Sequence, residues 1–167
     1  MCISGEMCHL VSFNGLGKVQ NFRGASSLTI DAKGRTILPA RIRERLSEIC
    51  DGQLVVTIAA DQDCLMLYPL NEWEIVEQKI NELPSYNKLV KRLQRRVVGY
   101  ATDMEIDATG RLSLTQPLRQ HAQLGKKALL IGQGNKYELW DEQLWEAWSK
   151  DDTEEDDVPE ALAELRL

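Results

Sequence analysis

Asp31-Ala32-Lys33-Gly34-Arg35 and Asp107-Ala108-Thr109-Gly110-Arg111 are two copies of one pentapeptide, and this duplication decides the fold. The Asp, Gly and Arg residues of the two copies each lie 76 positions apart in a chain of 167 residues. Both copies follow a short alternating apolar run, which is typical of a half-buried strand. The glycine allows the positive φ that a tight turn needs. The sequence therefore predicts two copies of one small β-containing unit.

The residues after each turn predict the same order of elements: strand, turn, strand, helix, strand, strand, helix. In the first copy, Pro39 is expected at the first position of a helix, and Asn71 is expected to cap a second helix, with Glu74 completing the capping box. Strands are predicted at residues 54–58 and 64–68. The inward helix positions are Ile42, Leu46 and Ile49 in the first helix and Trp73, Val76, Ile80 and Leu83 in the second.

These patterns divide the chain into five segments. They are an accessory extension at 1–20, a first domain at 21–83, a basic linking helix at 84–98, a second domain at 99–148 and an acidic tail at 149–167. The linking helix is predicted to turn Leu89, Val90, Leu93 and Val97 inward. A unit of this size buries only about 60% of the surface of its unfolded chain, so we expect the units to associate.

The net charge of −6 is unevenly distributed. Residues 146–167 contain nine acids and two bases, so the acidity belongs to the tail. The body of the chain keeps basic segments, among them Lys88, Lys91, Arg92, Arg95 and Arg96 in the linking helix. Such segments are available for an anionic partner such as nucleic acid.

The sequence contains no recognisable catalytic or metal-binding constellation. The four cysteines form no CxxC pair, and no catalytic triad or paired carboxylate stands out. Cys64 is interpreted as a small core residue. The sequence therefore predicts a protein that is not an enzyme and needs neither a metal nor a cofactor. This use of cysteine fits a reducing cytoplasm best.

The arginine of each turn has two interpretations. Turn geometry explains the residues Asp31, Gly34, Asp107 and Gly110. No turn requires Arg35 or Arg111. Each arginine could pair with the aspartate four residues before it. Alternatively, the two turns could present guanidinium groups to phosphates or guanine edges, which arginine contacts with two parallel hydrogen bonds. Lys33 adds a cation in the first copy, where the second has Thr109.

The residues around these turns resemble those of a known family. Five motifs of this chain are similar to motifs of the bacterial MraZ regulators. They are Phe22-Arg23-Gly24, Leu28-x-Ile30-Asp31-x-Lys33-Gly34-Arg35, Leu65-x-Leu67-Tyr68-Pro69-Leu70-x-Glu72-Trp73, Asp107-x-x-Gly110-Arg111 and Tyr137-x-Leu139-Trp140. The resemblance covers roughly residues 21–148. It implies an α+β, mainly β fold, in which two tandem swapped-hairpin (AbrB/SpoVT-like, double-psi-like) units form a pseudo-dimer within one chain, with short flanking helices.

The resemblance also implies a function. It suggests a nucleoid-associated regulator that binds repeated double-stranded DNA sites upstream of its own cell-division and cell-wall operon, as a closed ring of subunits. Arg35, Lys33, Arg111 and Arg23 would then contact DNA. Two alternatives stay open at this point: an antitoxin-like or protein-interaction module of the same superfamily, and a small-molecule enzyme or assembly scaffold.

Overall fold

The computed structural model describes residues 21–151 and shows a mixed α+β chain. The predicted extension at 1–20 and most of the predicted acidic tail lie outside the described residues. The elements in chain order are β1 (Ala25–Thr29), β2 (Arg35–Ile37), α1 (Ala40–Cys50), β3 (Gln53–Ile58), β4 (Leu65–Pro69), α2 (Leu70–Asn81), α3 (Lys88–Leu93) with a π-helical turn (Gln94–Val98), β5 (Thr102–Glu105), β6 (Arg111–Ser113), α4 (Gln116–His121), β7 (Lys127–Gln133), β8 (Lys136–Asp141) and α5 (Glu142–Ser149). Both copies therefore have the predicted order of elements.

The strands form two antiparallel sheets, and each sheet contains strands from both repeats. The larger sheet has six strands in the order β1-β7-β8-β4-β3-β5. The first strand of each repeat thus pairs with the other repeat, since β1 lies beside β7 and β5 lies beside β3. The smaller sheet is a two-stranded ribbon of β2 and β6. Neither repeat completes its own sheet.

Backbone hydrogen bonds repeat this exchange with approximate twofold symmetry. The amide of Leu38 donates to the carbonyl of Gly110 (3.0 Å), and the amide of Leu114 donates to the carbonyl of Gly34 (2.8 Å). Residues 38 and 114 are again 76 positions apart. Each pentapeptide turn is therefore fixed from behind by the strand that leaves the other turn.

One apolar core is shared by the two repeats. It contains Leu28, Leu38, Leu46 and Leu54 from the first repeat together with Leu112, Leu114, Leu118 and Leu130 from the second, all buried. A second cluster, which includes Tyr68, Trp73, Ile80 and Val97, lies under α2 and the π-helical turn. Cys64 is fully buried, as predicted, and this burial raises the pKa of its thiol to about 12.

Three predictions about the helices are wrong in detail. α2 begins at Leu70, directly after Pro69, and has no side-chain cap, so Asn71 is a first-turn residue. Pro39 likewise precedes α1 instead of opening it. Leu83 is 39% exposed and Leu89 is 73% exposed, although both were expected to face inward. Leu93 and Val97 pack into the second cluster, whereas Leu89 lies in the first turn of α3 and does not belong to that cluster.

Within residues 21–151, no helix is long and apolar enough to cross a membrane.

Candidate nucleic-acid interface

The two pentapeptide turns have nearly identical backbone geometry. The Asp31 carboxylate accepts hydrogen bonds from the amides of Lys33 and Arg35, both at 2.9 Å. The Asp107 carboxylate accepts from the amides of Thr109 and Arg111 at the same distance. Gly34 and Gly110 have φ values of 81° and 80°, which a side chain disfavours. The predicted geometric role of the aspartates and glycines is thus explained by local bonds.

These amide bonds stabilise the charged form of each aspartate. For Asp31, the backbone hydrogen bond from Arg35 is the largest cause of a lowered pKa, and the Arg35 side chain adds to it. For Asp107, the hydroxyl of Thr109 is the largest cause of a lowered pKa, followed by the amide of Arg111. Both carboxylates are therefore ionised at neutral pH and hold their turns closed.

The two arginines differ in their side-chain contacts. The guanidinium of Arg35 contacts the Asp31 carboxylate through Nε and Nη2, both at 2.7 Å. In the second turn, Thr109 donates to Asp107 at 2.6 Å, and residues 21–151 contain no ion pair for Arg111. The pairing interpretation is thus confirmed for Arg35 and wrong for Arg111. The Arg35 side chain is still 39% exposed, so an anion can approach it from solvent.

The β2–β6 ribbon places both arginines on one outward surface. Arg35 lies opposite Ser113 and Ile37 lies opposite Arg111, whereas the pair between them, Thr36 and Leu112, is buried. Arg35 and Arg111 are therefore diagonal neighbours, a relation that places such residues about 7–8 Å apart. Ile37 between them is 58% exposed. We call these four outward residues, Arg35, Ile37, Arg111 and Ser113, the ribbon face.

A cleft opens along the ribbon face on the side of β1. Its volume is about 590 Å³, and its lining includes Arg35, Arg43 and Arg111 together with the exposed Ser27 and Thr29. Three guanidinium side chains therefore share one solvent-open cleft, and among the described residues the only acid in its lining is Asp31. Such a cleft can accept an anionic group of the size of a phosphate.

Two further arginines support the turns, and the sequence reasoning missed them. Arg119 packs under the first turn, where a Cβ at Gly34 would lie 2.6 Å from Arg119 Nε. Arg43 packs under Gly110 in the same way and donates to the carbonyl of Thr109 at 3.5 Å. The Nε of each is buried and has no partner within the described residues. Since positions 43 and 119 also differ by 76, a search at the offset of the pentapeptides would have found the pair.

The other predicted contact residues lie at different places. Lys33 is exposed at the tip of the first turn. Arg23 lines a separate cleft with Arg41, Arg45 and Glu44, so the structure does not bring it into the cleft beside the ribbon face. Within residues 21–151, no group of three or more His, Cys, Asp or Glu side chains could hold a metal ion.

Comparisons of this sequence with known protein families and with individual proteins indicate the same family. The family model described as "MraZ protein, putative antitoxin-like" matches residues 21–96 and 97–165. A protein of Alkalilimnicola ehrlichii is 47% identical over 150 residues, which cover 87% of this chain and 99% of the relative. A protein of Serratia proteamaculans is 50% identical over 144 residues, which cover 86% of this chain and 95% of that relative. Both relatives carry the name transcriptional regulator MraZ.

Proposed function

The chain belongs to the MraZ family, and from this membership and the ribbon face we propose that it is a sequence-specific DNA-binding transcriptional regulator without enzymatic activity. Its sites are repeated sequences upstream of its own cell-division and cell-wall operon, in the cytoplasm at the nucleoid. The observation that carries the proposal is the diagonal placement of Arg35 and Arg111 on one exposed two-stranded ribbon.

A two-stranded ribbon can enter the major groove of DNA. Arginine there contacts O6 and N7 of guanine with two hydrogen bonds, and Lys33 at the turn tip is placed to reach a phosphate. The Arg35–Asp31 pair does not oppose this role, because exposed ion pairs are weak and screened. Asp31 instead holds the guanidinium in one orientation before DNA arrives, which lowers the entropy cost of binding.

The exchange of first strands supports the finer description of the fold. We propose that residues 21–83 and 99–148 are two swapped-hairpin (AbrB/SpoVT-like) domains, with residues 84–98 linking them. The pairing of β1 with β7 and of β5 with β3 is what such a pseudo-dimer requires. Several subunits in a closed ring would then contact successive operator repeats, and the number of contacts would multiply the affinity of each.

The test is binding of purified protein to DNA from upstream of its own gene, measured over a range of salt concentrations. Arg35→Ala is expected to weaken binding by about 1–3 kcal/mol per contact, increased by the number of repeats engaged. Lys79→Ala, which removes an exposed positive charge from α2, is the charge-matched control and should change affinity little. Phosphate contacts should make wild-type binding fall steeply with salt.

Equal and weak binding of wild type and Arg35→Ala to any DNA would contradict the proposal. It would favour the second candidate, an antitoxin-like module, which the description of the family model also names.

A further inference from the structure

We infer that DNA lies on one side of the ribbon only, and that acidic residues around the second turn exclude it from the other side. The inference rests on the proposed function and deepens it. It comes from comparing the two halves of the molecule, which share backbone geometry but differ in the charge of equivalent residues.

The first difference lies in the strands that precede the turns. β1 exposes Ser27 and Thr29, and both line the cleft beside Arg35. The residues 76 positions later, Asp103 and Glu105, are exposed on β5. The approximate twofold symmetry places these two carboxylates on the opposite flank of the ribbon. A phosphate backbone would therefore meet hydroxyl groups on one flank and two negative charges on the other.

The second difference lies in the helices under the turns. A cleft of about 550 Å³ beside the second turn is lined by Glu44, Glu48 and Asp51, together with Asp107 of the turn and Arg43 under it. The clefts beside the first turn are lined by Gln120, Leu124 and Lys126, together with Asp31 of the turn and Arg119 under it. Gln120 in α4 is the equivalent of Glu44 in α1 at the offset of 76, but α4 ends at His121 and has no helical residue equivalent to Glu48. The first turn thus stands on a neutral to basic surface and the second on an acidic one.

The third difference lies in the turns themselves. The first turn has Lys33 where the second has Thr109, and Thr109 bonds to Asp107 instead of facing an anion. Arg111 belongs to the second turn by sequence, yet it lines the cleft on the β1 side with Arg35. Both ribbon arginines therefore line the cleft on the β1 side. Charges act over about 8 Å at physiological salt, so acids on the second side would repel a phosphate that approached them within that distance.

The experiment replaces two acids of the second half with the residues found at the equivalent positions of the first half. Asp103→Ser with Glu105→Thr should tighten binding to the operator about 3–10-fold and make the salt dependence steeper, by about one in the logarithmic slope, because a phosphate can now be held on that flank. The control, Glu74→Gln with Glu77→Gln, removes the same charge from α2 and should change affinity less than about 2-fold without changing the slope. Circular dichroism checks that both variants are folded.

The reciprocal variant places acids on the side that DNA is proposed to use. Ser27→Asp with Thr29→Glu should weaken binding more than about 10-fold. The inference is wrong if Asp103→Ser with Glu105→Thr behaves like the α2 control, or if the reciprocal variant keeps wild-type affinity. Either result leaves the proposed function intact as long as Arg35→Ala still loses binding, so the two failures are distinguishable.

Discussion

Gly34 and Gly110 connect the local geometry of the turns to the rest of the molecule. Both have positive φ, and both lie against the arginine under the turn. At Gly34 a Cβ would lie 2.6 Å from the backbone carbonyl oxygen of Leu114. The amide of the same residue, Leu114, donates a hydrogen bond to the carbonyl of Gly34. The glycine is therefore required twice, by the turn and by the close approach of the other repeat.

Gly34→Ala is expected to lower the free energy of unfolding by about 2–4 kcal/mol, because it combines left-handed backbone strain with a clash against backbone. Gly134→Ala is the matched control. Gly134 also has a positive φ, of 69°, but a Cβ there would meet nothing within 4 Å. It should cost only about 1 kcal/mol. Chemical denaturation of the two variants measures the difference, and equal losses would contradict a packing role for Gly34.

At the scale of single residues, the sequence predicts the hydrogen bonds between residues that are close together in the chain. All bonds of the Asp31 carboxylate lie within five residues, so the turn and the Arg35 pair could be predicted. The orientation of Arg111 could not, because the hydroxyl of Thr109 bonds to Asp107 and the guanidinium lines a cleft formed with β1 of the first repeat. That cleft depends on contacts between residues far apart in the chain.

At the scale of elements, two buried threonines have opposite surroundings. Thr57 in β3 is fully buried, and its hydroxyl donates to the carbonyl of Val97 in the π-helical turn. Thr36 in the ribbon is 2% exposed, and its hydroxyl has no partner within the described residues. The first hydroxyl joins two elements, while the second is buried without a hydrogen bond.

Thr57→Val should destabilise the protein by about 1–2 kcal/mol, because it leaves the Val97 carbonyl without this donor. Thr36→Val should be neutral or stabilising by up to about 1 kcal/mol, because it removes an unpaired polar group at nearly constant volume. Thermal unfolding of both variants under the same conditions checks the contrast. A loss of stability at Thr36 would show that its hydroxyl has a partner in solution.

The linking segment shows where helical periodicity fails as a predictor. Spacing correctly assigns Leu93 and Val97 to the inner face, but it assigns Leu89 there as well. Periodicity shows which residues share a helix face, but not how much of that face a neighbouring element covers. Leu89 lies in the first turn of α3, outside the cluster under α2, and the sequence carries no local signal for where that cluster ends.

For the whole molecule, the duplication predicted two similar units, but pattern alone did not predict which strands pair. Alternation shows that residues 28–30 and 104–106 are strand-like without showing that each belongs beside the other repeat. The exchange has an energetic consequence, because within residues 21–151 the only strand beside β1 in the larger sheet is β7, and the only strand beside β5 is β3. The leucine core is also drawn from both repeats.

Residues 21–98 produced alone should therefore not form a stable folded monomer. In this fragment β1 lacks β7, β3 lacks β5, and half of the shared core is missing. Two copies can satisfy both edges by laying β1 of each against β3 of the other, since β1 and β5 occupy equivalent positions. We expect circular dichroism to show structure that increases with concentration, and light scattering to show that the structured species is a dimer.

Residues 21–151 in one chain should instead unfold in one cooperative transition, because no half of the sheet can separate without losing an exchanged strand. A fragment that is folded and monomeric at every concentration would contradict this account, since it would mean that β1 and β3 are stable without partners from a second repeat. A dimer would show that joining the repeats in one chain mainly removes the concentration dependence of an association that the strands already favour.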